Sequence, residues 1–270
     1  MRGNPEYPEL VSARGEWRFQ PAPDCLLNKV ILVTGAGDGI GRTTAKTFAC
    51  YGAHIVLLGR TKRKLEAVFD WITTSTATRP VIVPCDLAHL NDPGARALEQ
   101  AISDAFGQLD GIVHNASLLG DKVPIAHYST SQWQEVMQVN VSSVFLLTRT
   151  LLPLLEKSQA ASVIMTSSSV GRTGRAYWGA YAASKYALEG LTLVLADEHE
   201  QAGKIRFNSL NPGATRTAMR RAAYPAEDPA GVATAESRMD LYLFLMSQAS
   251  AGITGQQFDA REWTAPENTS

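Results

Sequence analysis

The sequence is short of the residues that build metal and disulfide chemistry. It holds three cysteines in 270 residues, Cys25, Cys50 and Cys85, widely separated and set among apolar neighbours. An odd number without C-x-x-C spacing makes neither a disulfide framework nor a zinc knuckle, so buried reduced thiols in a cytoplasmic protein are expected. His54, His89, His114, His127 and His199 are scattered with no H-E-x-x-H pair, and no metal site is expected. Charge is nearly balanced, at −1 overall, so no field gathers nucleic acid or anionic lipid. No apolar run reaches the roughly 18 residues of a spanning helix. Met1 to Pro23 is polar and proline-bearing and lacks the apolar core of a secretory signal. G-x-S-x-G is absent too, which removes the nucleophile elbow of a serine hydrolase.

What is present is alternation. Short β-branched runs at Lys29–Thr34, His54–Leu58, Val81–Cys85, Gly111–His114, Ser162–Thr166 and Ile205–Leu210 read as strands. Continuous apolar runs like the first two suit strands buried on both faces, as in a parallel sheet. Helical patterns fill the intervals, at Ile40–Tyr51, Lys62–Thr73, Pro93–Phe106, Gln132–Lys157 and Tyr181–Ala202, and Ser129 with Gln132 reads as a capping box. A last strand is expected over Gly252–Phe258. This order predicts an α/β fold, a single-domain doubly wound parallel sheet of Rossmann-like type. Residues 1–24 read as an N-terminal arm, 25–262 as the domain and 263–270 as a C-terminal tail.

Where the first strand turns into the first helix stands Thr34-Gly35-Ala36-Gly37-Asp38-Gly39-Ile40-Gly41. Glycines there let the backbone approach a pyrophosphate, and the helix N-terminus offers free N–H groups and a positive dipole. Glycine-rich turns are common, but strand, loop and helix follow here in the order dinucleotide binding needs. NAD enzymes of this kind end the second strand on an acid that holds the ribose diol. This strand runs into Leu58-Gly59-Arg60-Thr61-Lys62-Arg63-Lys64, with no acid. A guanidinium at Arg60 suits a 2′-phosphate instead, so NADP(H) is favoured over NAD(H). Lys62, Arg63 and Lys64 either assist or form a solvated helix start. Asp38, inside the loop, argues mildly the other way.

Three more motifs sit in register with this frame: His114-Asn115-Ala116 after the fourth strand, Tyr181-Ala182-Ala183-Ser184-Lys185 opening a helix, and Asn211-Pro212-Gly213 after the sixth strand. Together with the TGxxxGIG loop they resemble the short-chain dehydrogenase/reductase family over about residues 26–260. Within it, LLGRTKRKL, VMQVNV, TSSSVGR, GAYAASK and NPGATRTAMR look closest to the bacterial YciK-like oxidoreductases. The departures are His114, where the family carries asparagine, Ser117 in place of its glycine, and the lack of a D-G-G ending at the C-terminal strand.

Tyr181 and Lys185 are spaced to share one helix face, and a nearby ammonium lowers a phenol's pKa. Ser168, in Thr166-Ser167-Ser168-Ser169, lies past the fifth strand, where a hydroxyl polarises a substrate carbonyl; the family pattern selects it over Ser167 and Ser169. The resemblance implies that Asn140, a polar residue in an apolar helix, breaks that helix and holds a water relaying protons to Lys185, although a satisfied buried amide is the ordinary alternative. It places Asp86 and Leu87 at the adenine, with a helix N-cap as the alternative for the acid. It places Asn115 and Ala116 beside the adenosine ribose, and Pro212, Gly213, Thr215 and Thr217 around the nicotinamide, a plain turn being the competing reading for the proline and glycine.

The reaction expected is reversible hydride transfer between nicotinamide and a carbonyl or alcohol carbon of a small molecule. Tyr181 protonates, Ser168 polarises, and Lys185 holds the ribose and biases Tyr181. Nucleotide-sugar dehydratases share the Tyr/Lys pair but carry a larger C-terminal domain than the residues after Pro212 provide. The other rival is a non-catalytic dinucleotide-sensing protein, which usually lacks part of the set Asn140, Ser168, Tyr181 and Lys185. Thr217–Thr234 reads as a lid, and Tyr177, Trp178, Leu119, Met219 and Tyr224 as an apolar pocket wall. The helices Gln132–Lys157 and Tyr181–Ala202 carry surplus apolar surface, and the family pattern pairs them in homodimers or homotetramers.

Overall fold

The computed structural model describes residues 7–265; residues 1–6 of the arm and 266–270 of the tail lie outside them. Seven parallel strands form one sheet in the order β3-β2-β1-β4-β5-β6-β7. They are β1 (Val30–Thr34), β2 (His54–Gly59), β3 (Val81–Pro84), β4 (Gly111–His114), β5 (Ala161–Thr166), β6 (Ile205–Asn211) and β7 (Gln257–Asp259). Every residue of β1, β4, β5 and β6 is buried, which is why these runs show no polar alternation. The sheet order reverses between β1 and β4, and loops diverge there at the C-terminal edge.

Two apolar layers cover the sheet. On one face lie α2 (Gly39–Cys50), α3 (Lys62–Ser75) and α9 (Met239–Met246), with Phe48, Leu65 and Tyr242 at its centre. On the other lie α4 (Asp92–Phe106), α6 (Ser143–Leu155) and α7 (Gly179–His199), with Leu98, Leu147 and Leu188 against Val163 and Phe207. All eight residues of α9 are buried. A helix apolar all round has no amphipathic period, so nothing in its pattern announces it.

The expected helix Gln132–Lys157 is a continuous stretch, Thr130–Leu155, in three parts: α5 (Thr130–Met137), a π turn (Gln138–Ser142) and α6. By length and composition it could cross a membrane, contrary to the expectation from apolar runs, yet 56% of its most apolar window is buried inside the fold. Ser129 is its N-cap residue but makes no side-chain cap. Its hydroxyl meets Ser131, and Gln132 Oε1 instead accepts from Asp121 N. The final strand is shorter and later than expected, because residues 251–256 form turns.

Residues 7–24 are laid on the domain. Tyr7, Leu10 and Trp17 are buried around α1 (Pro8–Arg14). Tyr7 Oη donates to Glu236 Oε1 at 2.9 Å, Trp17 Nε1 to Glu236 O at 3.0 Å, and Arg18 N to Asp240 Oδ2 at 3.0 Å. Thr43 of α2 donates to the same Glu236 carboxylate, so arm, α2 and the segment before α9 share one anchor.

Candidate active site

A cleft of about 530 Å³ opens along the C-terminal edge of the sheet. Its floor is the sheet edge at β1, β2, β4 and β5, where α/β sheets place ligands.

Gly35, Gly37, Asp38, Gly39 and Ile40 line one wall. Gly41 does not; a Cβ there would sit 2.3 Å from Gly35 O and 2.5 Å from Asn115 Nδ2. Its glycine serves the close packing of α2 behind the loop. Asp38 caps α2, its Oδ1 accepting from Gly39 N at 2.8 Å, and its other oxygen pairs with Lys64. The Lys64 hydrogen bond holds this carboxyl below its usual range. The charge that argued against a phosphate is therefore offset in place. Lys64 and Gly37 both line the cleft; of the basic run left open between assisting and a solvated helix start, Lys64 is the one that turns inward, which the sequence of a basic run does not mark. Lys62 pairs with Glu66 at 3.5 Å along the helix, and Arg63 lies outside the lining. Arg60 lines the cleft at the end of β2, exposed, with no hydrogen-bond or ion-pair partner among the described residues.

Asp86 and Leu87 line the same end. Asp86 Oδ1 accepts from Ala88 N at 3.1 Å in a turn, and Asn91, not Asp86, caps α4. Asn115 and Ala116 reach the cleft from β4, their backbone N–H groups donating to Thr34 Oγ1 at 2.9 and 3.0 Å. The substitution at His114 leaves the cleft untouched. That ring is buried beside Thr148, with Nε2 2.9 Å from its Oγ1, and burial pushes its pKa down to about 3. Ser117 does line the cleft.

At the far end Ser168, Tyr181 and Lys185 come together. Tyr181 sits in the first turn of α7 with Lys185 one turn on, its Nζ 5.4 Å from the Tyr181 ring centroid. Lys185 Nζ donates to Thr166 O at 2.8 Å. Burial raises Tyr181 to about 12, opposed by its hydrogen bond with Ser168. The lowering expected from the ammonium is not there: only burial and Ser168 act on Tyr181, and burial also lowers Lys185, to about 8, opposed by Glu189. Ser167 lines the cleft with its hydroxyl buried and unpartnered, while Ser169 is exposed and outside it.

Asn140 lies in the π turn, fully buried. Its Oδ1 accepts from Leu118 N at 2.7 Å, and its Nδ2 donates to Leu118 O and to Ser184 Oγ, both at 2.9 Å. The helix break expected at this residue is there, but both amide hydrogens are engaged, so the side chain has no donor left for a water. It pins Leu118, a wall residue of the cleft.

Pro212, Gly213, Thr215 and Thr217 line the cleft beyond β6. Thr217 Oγ1 caps α8 (Ala218–Ala223) by accepting from Arg220 N at 3.1 Å, and buried Thr215 donates to Pro212 O at 3.4 Å. Leu119, Trp178 and Met219 join Tyr181 in a small apolar cluster with Tyr224. Tyr177 is not among them: it is exposed, at φ +71°, a left-handed conformation tyrosine rarely takes. Lys122 joins residues 217–234 to this wall, donating to Ala223 O at 2.7 Å with its ammonium 4.5 Å from the Tyr224 ring.

A family model for short chain dehydrogenases matches residues 29–228. The oxidoreductase YciK of Escherichia coli K12 is 50% identical over 92% of this chain and 98% of its own length. A short chain dehydrogenase from Shigella flexneri, solved in complex with NADP, is 50% identical and superposes with a TM-score of 0.87 over 89% of this chain and all of its own. One from Escherichia coli CFT073, solved with NADPH, is 51% identical, with the same TM-score and coverage. The chain belongs to the short-chain dehydrogenase/reductase family, on the side of its YciK-like oxidoreductases.

Proposed function

We propose that the protein is an NADP(H)-dependent oxidoreductase that reduces a small carbonyl compound, or oxidises the corresponding alcohol. The observation that carries this reading is the convergence of Ser168, Tyr181 and Lys185 at one end of a cleft that has Arg60 at the other. The cleft fits the cofactor: Asp38 holds Gly39 N but the next N–H groups of α2, those of Ile40 and Gly41, have no partner among the described residues, and Arg60 has a guanidinium to spare for a 2′-phosphate. The two relatives carrying NADP and NADPH support the choice. We assign the pyrophosphate to Gly35, Gly39 and Ile40 with Gly41 packed behind, and the 2′-phosphate to Arg60. The adenosine falls to Asp86, Leu87, Asn115 and Ala116, and the nicotinamide pocket to Pro212, Gly213, Thr215 and Thr217.

When bound, the cofactor supplies the hydride donor or acceptor, which no side chain can. The rest falls to the protein. Burial keeps Tyr181 a neutral phenol at neutral pH, so it holds the proton that a reduced carbonyl oxygen needs. Ser168 donates a hydrogen bond to that oxygen as negative charge develops. Lys185, fixed by Thr166 O, keeps further N–H donors for the ribose hydroxyls and a positive charge under the tyrosine. Asn140 acts through Leu118, fixing the wall opposite.

The active unit is read as residues 25–262, with 1–24 as an N-terminal arm and 263–270 as a C-terminal tail. Assembly into a cytoplasmic homodimer or homotetramer is supported by Phe145 on α6 and Tyr186, Leu193 and Val194 on α7, all exposed apolar side chains. The test is a panel of aldehydes, ketones, quinones and alcohols assayed with each cofactor. Turnover of one carbonyl class with NADPH is expected; NADPH binding without turnover of any would leave the sensing alternative.

A further inference from the structure

Behind the Ser168, Tyr181 and Lys185 set lies an ion pair of buried Glu189 and half-buried Arg172, neither of which lines the cleft. Glu189 stands one turn after Lys185 on α7 and is 5% exposed. Arg172 follows the 3₁₀ turn Ser169–Gly171, the segment that begins at Ser168. Arg172 Nε donates to Glu189 Oε1 at 2.9 Å, and Ser209 Oγ of β6 donates to the other carboxylate oxygen. Arg172 Nη2 continues to Ser209 Oγ at 3.2 Å and to Phe258 O of β7 at 3.1 Å. Beside them a Cβ on Gly171 would lie 2.7 Å from Lys185 Cβ, so the turn seats directly on the backbone of the lysine.

A buried ion pair seldom adds net stability over apolar residues of the same volume, so its presence here calls for a use. We propose that Glu189 and Arg172 are positioning residues for the reaction, locking the Ser168 turn to the Tyr181–Lys185 helix and setting the field at Lys185 from one turn away. This rests on the roles given above to Tyr181 and Lys185. The charged groups facing this stretch of α7 are Glu189 itself and Arg172. The π turn, β5 and β6 present Asn140, Thr166 and Ser209, all uncharged. Arg206 on β6 turns away to Ser247 O, and Glu135 on α5 is exposed. Burial works against the Lys185 ammonium and Glu189 works for it. Arg172 binds that same carboxylate and is not among the groups that shift Lys185.

The two residues therefore differ in what they do to Lys185, which the two halves of a purely structural clamp would not. Loss of Glu189 weakens the ammonium; loss of Arg172 does not. The measurement is the pH profile of kcat/KM for NADPH-dependent reduction, whose alkaline limb follows loss of the Lys185 proton near about pH 8. Glu189→Gln is expected to move that limb to lower pH by at least about half a unit, while Arg172→Met leaves it in place or raises it. A limb unmoved in Glu189→Gln, or lowered in both variants, overturns the proposal. Should either single variant fail to fold, the double variant R172M/E189Q leaves no unpaired buried charge. Its limb is expected to fall, since Glu189 is the nearer charge, and a limb left in place overturns the proposal equally. Tyr181→Phe in the same assay separates the two levels: full activity there sinks the role of Tyr181 itself, whereas an inactive Tyr181→Phe beside unmoved limbs sinks the ion-pair proposal alone.

Discussion

Arg60 is the residue on which cofactor choice turns. It is exposed and unpartnered among the described residues, while Lys64 beside it is occupied by Asp38. One charge-assisted hydrogen bond contributes roughly 1.5–3 kcal/mol. For an exposed side chain the lower end applies, because water and salt screen it. About 1.4 kcal/mol is a factor of ten in affinity, so NADPH should bind at least about tenfold more tightly than NADH. Arg60→Asp removes the attraction and sets a carboxylate where NAD enzymes of this fold hold the ribose diol, so the gap should close or reverse. Titrating each cofactor by fluorescence or calorimetry gives the four dissociation constants directly, and raising the salt should weaken NADPH more than NADH in the native protein alone. Equal constants in the native protein, or a tenfold preference surviving in Arg60→Asp, would refute the argument.

Asn140→Ala leaves the part-buried Leu118 N–H and C=O without these partners, at about 1–3 kcal/mol for each group left unsatisfied, while Ser184 keeps its bond to Tyr181 O. A drop in Tm of several degrees is expected, and a Tm unchanged from native contradicts the clamp. Leu10→Ala in α1, where the side chain is 1% exposed, should lose about 2–5 kcal/mol in a urea melt if the arm is part of the folded unit; a loss below about 0.5 kcal/mol marks it as peripheral. Light scattering at micromolar concentration should give a dimer or tetramer mass, and Leu193→Asp with Val194→Asp should reduce it. A native monomer contradicts assembly through α6 and α7.

The sheet was legible because its central strands are buried on both faces, and a run such as Val30–Thr34 has no other reading in a chain of this order. The switch-point cleft followed from that order. The residues lost to the sequence were those whose roles depend on direction rather than type. Lys64 turns inward to Asp38 while Lys62 turns along its own helix. Tyr177 and Trp178 are adjacent aromatics, but a positive φ at Tyr177 throws it into solvent while Trp178 enters the wall. The helix α9 was invisible for a different reason: burial on every side erases the periodicity by which amphipathic helices are found. The pKa of Tyr181 shows the same limit. Helical spacing with Lys185 is legible, whereas the burial that raises the tyrosine emerges only when the whole core has closed around it.

The central claim is that Tyr181 carries the proton. Tyr181→Phe removes one oxygen from a ring that is 9% exposed and leaves its packing against Trp178 intact. Folding and NADPH affinity should be nearly unchanged, because the cofactor is assigned to the glycine loop, Arg60 and Lys185. Turnover of a good carbonyl substrate should fall by about 10²–10⁴, the contribution typical of a general acid. A variant that binds NADPH normally and keeps more than about a tenth of the native rate would contradict the account, leaving Tyr181 a packing residue beside chemistry carried elsewhere.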